Sequence, residues 1–298
     1  MALRITRASD PIVVERLSIC IYGQPGAGKT SLAFTAERPL LLDFDQGAHR
    51  ATGRKDTVQV RQWSDVAGIG ESDVADFDTI ILDTAGRALD CLSSDIMRRN
   101  PKAGRGGALT LQGYGTLKTE FSAFLKLLKG FGKDVVLIAH MDEQRNGDEM
   151  IERLDVQGGS KGEIYKAADA MGRVFVKGGA RQLDFSPREG SFGKNPGQLD
   201  VLDIPHPDRD PGFLGAVIQS IKDKLNELTA EQAEAQDRLG KLREALADAE
   251  DAEAVNSLLP QAKDAGNSGK ALLHARALEL GLSFDKDARE YAPTKAAA

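Results

Sequence analysis

The chain has 298 residues, of which 41% are hydrophobic and 28% are charged, and its formal net charge is −6. No apolar run approaches the roughly 20 residues of a membrane-spanning helix, and the N-terminal residues lack the apolar stretch of a secretory signal. The two cysteines, Cys20 and Cys91, have neither the CxxC spacing of a zinc site nor the number needed for a disulfide framework. We therefore expect a cytoplasmic protein without a membrane partner.

The acidic residues are unevenly distributed along the chain. Between residues 226 and 255, nine acidic residues stand against three basic ones, which accounts for the whole net charge of −6. The rest of the chain is close to neutral. Because nucleic-acid phosphates are bound mainly by lysine and arginine, the overall charge neither supports nor excludes a DNA partner.

Short apolar segments alternate with helical patterns in the first half of the chain. Four segments rich in Val, Ile and Leu have the pattern of strands buried on both faces of a parallel sheet. The clearest helical pattern, Leu117–Leu128, falls between the last two of them. This alternation predicts an α/β fold with a mostly parallel central sheet. The four predicted strands are Leu17–Tyr22, Pro39–Asp45, Thr79–Asp83 and Asp134–Ala139.

The second half of the chain changes character. The alternating segments Arg173–Val176 and Gln182–Phe185 predict a hairpin, and helical patterns follow. Thr229–Gln232 has the spacing of a capping box and predicts the start of a separate charged helix. We divide the chain into a leader, an α/β core and a helical C-terminal region, spanning residues 1–16, 17–210 and 211–298.

A phosphate-binding loop follows the first predicted strand directly. The segment matches GxxxxGK[ST], in which glycines let backbone N–H groups form an anion-binding nest at the start of a helix. We expect the lysine to bridge the β- and γ-phosphates and the threonine hydroxyl to bind Mg²⁺. The predicted nucleotide-binding residues are Gly23, Gln24, Pro25, Gly26, Ala27, Gly28, Lys29, Thr30 and Ser31.

Acidic residues end two of the predicted strands. Asp83 ends an apolar strand and is the predicted Walker B residue, which holds Mg²⁺ together with Thr30. A glutamate follows the Walker B aspartate in AAA+ proteins, but Thr84 stands there, so the residue that activates water must come from elsewhere. Asp43 and Asp45 share one side of a strand end, where active sites of parallel sheets form. Their alternative role is to cap the next segment.

The Walker B segment also resembles a GTPase element. Asp83–Arg87 reads DTAGR, as in signal-recognition-particle GTPases, which need an (N/T)KxD motif after a later strand to read guanine. Here that strand continues into His140-Met-Asp142, without the lysine. A GTPase is therefore the alternative, with Asp142 as the only residue of its guanine motif.

The order of these motifs resembles the RecA-like ATPases, most closely the phage-encoded RecA-like recombination and single-strand annealing proteins. The resemblance covers about Leu17 to Leu202 and implies ATP and Mg²⁺ as ligands in the cytoplasm of a bacterial host. It implies that Asp45 activates water and that His140 senses the γ-phosphate, a position where many relatives carry glutamine or asparagine. It also implies a homo-oligomer, ring or filament, in which Arg188 reaches the phosphates of the neighbouring subunit.

RecA-like proteins hold single-stranded DNA on two loops, one after the Walker B strand and one after the sensor strand. The first loop corresponds to a basic Gly/Pro-rich segment followed by a tyrosine, which suits phosphate contacts and base stacking. The second corresponds to Gln144–Glu163, where the charge is mixed. A single-stranded-DNA-binding protein is a further partner implied by the resemblance. The predicted DNA-binding residues are Arg98, Arg99, Lys102, Arg105 and Tyr114.

These observations predict a RecA-like core that hydrolyses ATP with Mg²⁺ at a subunit interface and acts in DNA recombination or annealing. Two alternatives stay open. One is the GTPase; the other is an ATP-dependent binding module that does not hydrolyse its nucleotide, in which Asp45 is only a cap.

Overall fold

The computed structural model describes residue 3 and residues 5–7, 10–146, 149–156 and 160–293. The helices are Lys29–Ala33 (α1), Ala85–Arg99 (α2), Leu111–Gly130 (α3), Lys161–Ala167 (α4), Phe213–Ala247 (α5), Ala252–Ser257 (α6), Leu259–Asp264 (α7) and Gly266–Glu279 (α8). The strands are Ser18–Gly23 (β1), Pro39–Asp43 (β2), Thr57–Gln59 (β3), Thr79–Asp83 (β4), Gly104–Arg105 (β5), Ala108–Leu109 (β6), Asp134–Asn146 (β7), Glu149–Leu154 (β8), Ala170–Lys177 (β9), Ala180–Asp184 (β10), Leu202–Asp203 (β11), Leu282–Asp285 (β12) and Glu290–Pro293 (β13).

The strand that leads into the phosphate loop lies inside the main sheet. Over the described residues the strand order is β11-β10-β9-β1-β7-β4-β2-β3, and β8 pairs with the far end of β7. The strands from β9 to β3 run parallel, whereas β8, β10 and β11 pair antiparallel. The predicted α/β fold with a mostly parallel central sheet is confirmed.

Alternate residues of β1 face two different helical layers. Cys20 and Tyr22 belong to one buried cluster, which includes apolar residues of α2 and α3. Ile19 and Ile21 belong to the other, which includes apolar residues of α1 and α5. Because side chains alternate along a strand, a strand covered on both faces must be apolar throughout, as β1 is.

Helix α3 is longer than the sequence pattern predicts. It begins at Leu111 because the preceding Thr110 caps it, its Oγ1 accepting a 3.2 Å hydrogen bond from the N–H of Gly113. The buried face of this helix is formed, as predicted, by Leu117, Phe121, Phe124, Leu125 and Leu128. The additional first turn is solvated, and Leu111 is 92% exposed.

Helix α5 is continuous through the predicted capping box. Thr229 lies within the helix, and its hydroxyl donates to the carbonyl of Asn226 at 3.0 Å, so the predicted separate helix start is wrong. A threonine hydroxyl can bond a carbonyl one turn earlier, which removes its capping role. The first turns of α5 lie in the predicted C-terminal region, but they bury Leu214 and Ile218 in the same cluster as β1.

The chain forms two compact units. One consists of residues 14–225, and the other of the described residues before 14 and after 225. The second unit has its own apolar cluster, to which Leu242, Leu246, Leu273 and Tyr291 contribute. In the part of the chain that the structure describes, no helix is both long and apolar enough to cross a membrane.

Candidate functional site

The phosphate loop connects the carboxyl end of β1 to α1 through two left-handed glycines. Gly26 and Gly28 have φ angles of 79° and 83°, which favour residues without a Cβ. Gly23 is required for a different reason, since a Cβ there would lie 2.3 Å from the carbonyl oxygen of Val174 on β9. Helix α1 has only five residues. The anion-binding property of this segment therefore rests on the loop's backbone N–H groups.

Lys29 is folded back over this loop. Its Nζ atom donates to the carbonyl oxygens of Gly23 at 3.0 Å and Gln24 at 2.8 Å, and the residue is 4% exposed. Burial lowers the pKa of Lys29 to about 8, against the opposing effect of the carboxylates of Asp83 and Asp45. An anion arriving beside this ammonium group would compensate its lost hydration.

Thr30 and Asp83 meet at the edge of the sheet. The Thr30 hydroxyl donates a 2.6 Å hydrogen bond to Oδ2 of Asp83, which ends β4. Burial raises the pKa of Asp83 to about 6, and the nearby Asp45 and Asp43 add to the rise. Mg²⁺ is commonly held by one or two protein oxygens together with substrate phosphates. This hydroxyl–carboxylate pair next to a phosphate loop fits that requirement.

The two acidic residues after β2 have different surroundings. Asp43 is 1% exposed and accepts hydrogen bonds from the N–H groups of Gly47 and Ala48 at 3.1 and 3.0 Å. It is the cap of the following turn, the alternative role considered for both acids. Asp45 instead lines the cavity beside the phosphate loop, where its carboxylate pairs with Arg50 at 3.2 Å and Arg87 at 3.4 Å.

His140 lies on β7, between the phosphate-loop strand and the Asp83 strand. Its Nδ1 atom is 3.3 Å from Nζ of Lys29. Burial lowers the pKa of His140, and the charge of Lys29 lowers it further. The imidazole is therefore neutral at pH 7, and Nδ1 can accept a hydrogen bond from the lysine.

One cavity of about 190 Å³ brings most of the predicted site together. Its lining includes the phosphate-loop residues Gly26 to Ser31 except Ala27, together with Asp45, Asp83 and His140. A neighbouring cavity of about 250 Å³ shares His140 and is lined by Arg87, Asp90 and Asp155. Gln24 lines neither of these two cavities. Its side-chain amide donates to Glu143 at 2.8 Å.

Arg188 does not line either cavity. It lies in the turn after β10, where its Nε atom donates to Asp184 at 2.6 Å and its backbone pairs with Ser191. Its side chain is 55% exposed. The role predicted for it, a cation that acts on a neighbouring subunit, stays a prediction.

The predicted DNA segment is only partly a loop. Arg98 and Arg99 form the last turn of α2 and both pair with Asp95, at 2.5 and 2.6 Å. Arg99 also pairs with Glu120 at 2.6 Å. The prediction that all four basic residues lie on one loop is therefore wrong, because Arg98 and Arg99 belong to the end of a helix, where neighbouring carboxylates hold them.

The remaining residues of this segment are accessible. Lys102 lies in the 3₁₀ turn Pro101–Ala103, which Asn100 caps, and Arg105 lies on β5 of the small ribbon formed with β6. Both are exposed, and Tyr114 in the first turn of α3 is 37% exposed. The second predicted loop, Gln144–Glu163, is largely the β7–β8 hairpin followed by the start of α4, and its residues 147–148 and 157–159 lie outside the described residues.

Three arginines of the site were missed by the sequence analysis. Arg50 and Arg87 bracket Asp45, and Arg181 lies against the phosphate loop at Gly28. Arg87 is the last residue of the DTAGR segment, whose sequence indicates only a resemblance to GTPases. Arg50 and Arg181 carried no local signal, because the turn after β2 and the β9–β10 hairpin bring them to the loop.

Comparisons with known proteins identify a family and similar solved structures. A protein-family model described as an AAA domain matches residues 15–196, more than half of the chain. The chain is similar to the crystal structure of the flagellar accessory protein FlaH from Methanocaldococcus jannaschii, with 13% identity over 57% of this chain and 77% of that chain and a TM-score of 0.31. It is also similar to a second solved structure, the ATPase domain of another protein, with 13% identity over 66% of this chain and 84% of that chain and a TM-score of 0.33. None of the curated proteins compared matches it.

The family match spans β1, the phosphate loop, β4 with Asp83 and the whole of β7. Every residue that lines the cavity beside the phosphate loop falls within it. The chain belongs to the AAA domain family, as a P-loop ATPase domain.

Proposed function

We propose that this protein is a Mg²⁺-dependent ATPase that binds single-stranded DNA and acts in recombination or annealing as an oligomer. The observation that carries the proposal is the cavity in which Lys29, Asp45, Asp83 and His140 meet at the carboxyl edge of the sheet. A buried ammonium, a hydroxyl–carboxylate pair and a further carboxylate around one phosphate loop form the set of groups that phosphoryl transfer to water requires.

Different residues of the chain bind the phosphates, hold the metal ion and orient the water. The loop amides and Lys29 bind the phosphates, and Thr30 and Asp83 hold the metal ion. When bound, Mg²⁺ neutralises the charge that develops on the phosphate oxygens. Asp45 orients the attacking water, and Arg50 and Arg87 hold the Asp45 carboxylate in place.

The exposed cations after α2 support the DNA part of the proposal. Lys102 and Arg105 carry no ion pair among the described residues, and Tyr114 is accessible for stacking. A basic segment with an aromatic side chain binds single strands through phosphate contacts and base stacking. Arg98 and Arg99 contribute less to binding than the sequence suggests, because DNA phosphates must compete with Asp95 for them.

The GTPase alternative is less well supported. Asp142, the one residue that matches its guanine motif, lies in the β7–β8 hairpin opposite Arg153. Arg87, the last residue of the DTAGR segment, forms an ion pair with Asp45, so it is not free to act in a nucleotide-dependent switch. The family match to an AAA domain also favours ATP.

The test is turnover of ATP and of GTP, each measured without DNA, with single-stranded DNA and with duplex DNA. We expect ATP turnover that single strands stimulate and that Lys29→Ala abolishes. Preference for GTP with indifference to DNA would overturn the proposal. ATP binding without turnover, unchanged in Asp45→Asn, would instead favour the binding module that does not hydrolyse ATP.

A further inference from the structure

Arg181 lies in contact with the phosphate loop of its own chain. Its Nη1 atom occupies the space beside Gly28, so that a Cβ on that glycine would lie only 2.4 Å away. Gly28 lines the nucleotide cavity and is the residue before Lys29. A second basic side chain, supplied by β10, is therefore present at the loop.

The guanidinium of Arg181 differs from the other arginines near the site in having no acidic partner among the described residues. Arg50 and Arg87 pair with Asp45, and Arg188 pairs with Asp184. In the part of the chain that the structure describes, no hydrogen bond or ion pair engages the side chain of Arg181. A partly buried guanidinium without a carboxylate retains its donors for an anionic ligand.

The sheet fixes the backbone from which this side chain extends. β10 pairs with β9, where Arg181 stands opposite Val176, and β9 pairs in turn with β1, where Val174 stands opposite Gly23. The carbonyl of Arg181 accepts a 2.8 Å hydrogen bond from the N–H of Ile204. Arg181 is thus carried on the same sheet as the phosphate loop, and its position needs no second subunit.

We propose that Arg181 binds the phosphate groups of the nucleotide in cis, as a second cation beside Lys29. Guanidinium groups form bidentate, charge-assisted hydrogen bonds with phosphate oxygens, which a lysine cannot match in geometry. The inference rests on the proposed nucleotide site. In this inference, Arg181 on β10 binds the nucleotide of its own chain, and Arg188 is the residue that would act on a neighbouring subunit.

The test measures the dissociation constants of ATP and ADP at two salt concentrations, using full-length protein without Mg²⁺. The variants are Arg181→Met, Arg181→Lys and Lys177→Met. Lys177 is an exposed lysine on the same hairpin, so its substitution removes one positive charge at a position away from the loop.

We expect Arg181→Met to weaken the binding of both nucleotides about tenfold, because a charge-assisted contact is lost, and to reduce the salt dependence of binding. Arg181→Lys should retain part of the affinity, and Lys177→Met should bind as wild type.

Two outcomes would overturn the inference while wild-type protein still binds ATP and Lys29→Ala does not. One is an affinity of Arg181→Met within twofold of wild type. The other is an equal loss in Arg181→Lys and Arg181→Met with unchanged salt dependence, which would mean that Arg181 only shapes the loop. Absence of nucleotide binding by the wild-type protein would overturn the proposed function and this inference together.

Discussion

The Nζ atom of Lys29 lies 3.3 Å from Nδ1 of His140, so the neutral imidazole is positioned to accept a hydrogen bond from the phosphate-loop lysine. We expect His140→Gln, which keeps a polar group, to retain more ATP turnover than His140→Ala. The alanine variant should lose about 10²-fold in turnover, as when one polar contact to a transition state is removed. Measured nucleotide affinity should change much less than turnover.

The same contact predicts a pH dependence. Burial and then the charge of Lys29 lower the pKa of His140 below its ordinary value of 6.5. The imidazole therefore becomes charged at a lower pH than an ordinary histidine does. Turnover should fall on that acid side, and His140→Gln should flatten this limb of the profile. An acid limb that is identical in His140→Gln would contradict the prediction.

Asp43 and Asp45 offer a matched pair of variants, two residues apart. Asp45→Asn should reduce ATP turnover about 10²-fold or more, because it removes the group proposed to orient water, while stability changes little. Asp43→Asn should lower the free energy of unfolding by about 1–3 kcal/mol, because its amide nitrogen faces a backbone N–H where the carboxylate accepted one. Denaturant unfolding and steady-state turnover of both variants check this. Loss of turnover in Asp43→Asn together with loss of stability in Asp45→Asn would contradict the roles assigned to the two residues.

Asp95 controls two of the cations at the predicted DNA segment. Burial raises the pKa of Asp95, but hydrogen bonds from Arg98 and Arg99 outweigh it and hold the pKa below the ordinary value, so the carboxylate is charged at pH 7. Asp95→Asn should therefore release both arginines and raise the affinity for single-stranded DNA. Lys102→Ala and Arg105→Ala should each lower that affinity and make its salt dependence shallower by about 0.7 in slope.

Lys133→Ala is the control for these DNA variants. Lys133 precedes β7, at the edge of the sheet opposite to the nucleotide cavity, and its Nζ donates to the carbonyl of Ala75. Fluorescence anisotropy with a labelled oligonucleotide at several salt concentrations measures all four variants. Equal effects of Lys133→Ala and Lys102→Ala would mean that binding reflects general charge rather than this segment.

Mixing experiments test whether Arg188 acts on a neighbouring subunit. Lys29→Ala and Arg188→Ala should each be nearly inactive alone, because one lacks the phosphate-loop lysine and the other lacks the cation proposed to act in trans. Equimolar mixtures should regain turnover, since some interfaces then combine an intact loop with an intact arginine. Mixtures as inactive as their components would show that Arg188 does not act in trans.

A buried ion pair contributes to the stability of the core unit. Nζ of Lys222 on α5 lies 2.6 Å from Oδ2 of Asp134, and both side chains are less than a tenth exposed. Lys222→Met should lower the free energy of unfolding by about 3 kcal/mol, because it leaves a buried carboxylate unpaired. The double variant Lys222→Met/Asp134→Asn should recover much of this loss in thermal or denaturant unfolding. A double variant less stable than Lys222→Met would contradict this account.

Several features of this protein were determined by local sequence alone. The apolar strands, the GxxxxGK[ST] loop and the acid at the end of β4 follow from patterns that span only a few residues. Gly26 and Gly28 are examples, because the left-handed backbone of the loop requires glycine whatever surrounds it. Parallel strands also bring their carboxyl ends to one edge, so the meeting of Thr30 with Asp83 could be anticipated from the order of the elements.

Only the tertiary structure decided how individual side chains are engaged. Asp43 and Asp45 share a strand end and a side by alternation, but the turn after β2 makes one a buried cap and leaves the other to Arg50 and Arg87. Arg188 and Arg181 are both basic residues near β10, yet one is held by Asp184 and the other contacts Gly28. Which partner each side chain contacts depends on residues distant in sequence. Burial and ion pairing affect a side chain only when the fold has brought those residues together.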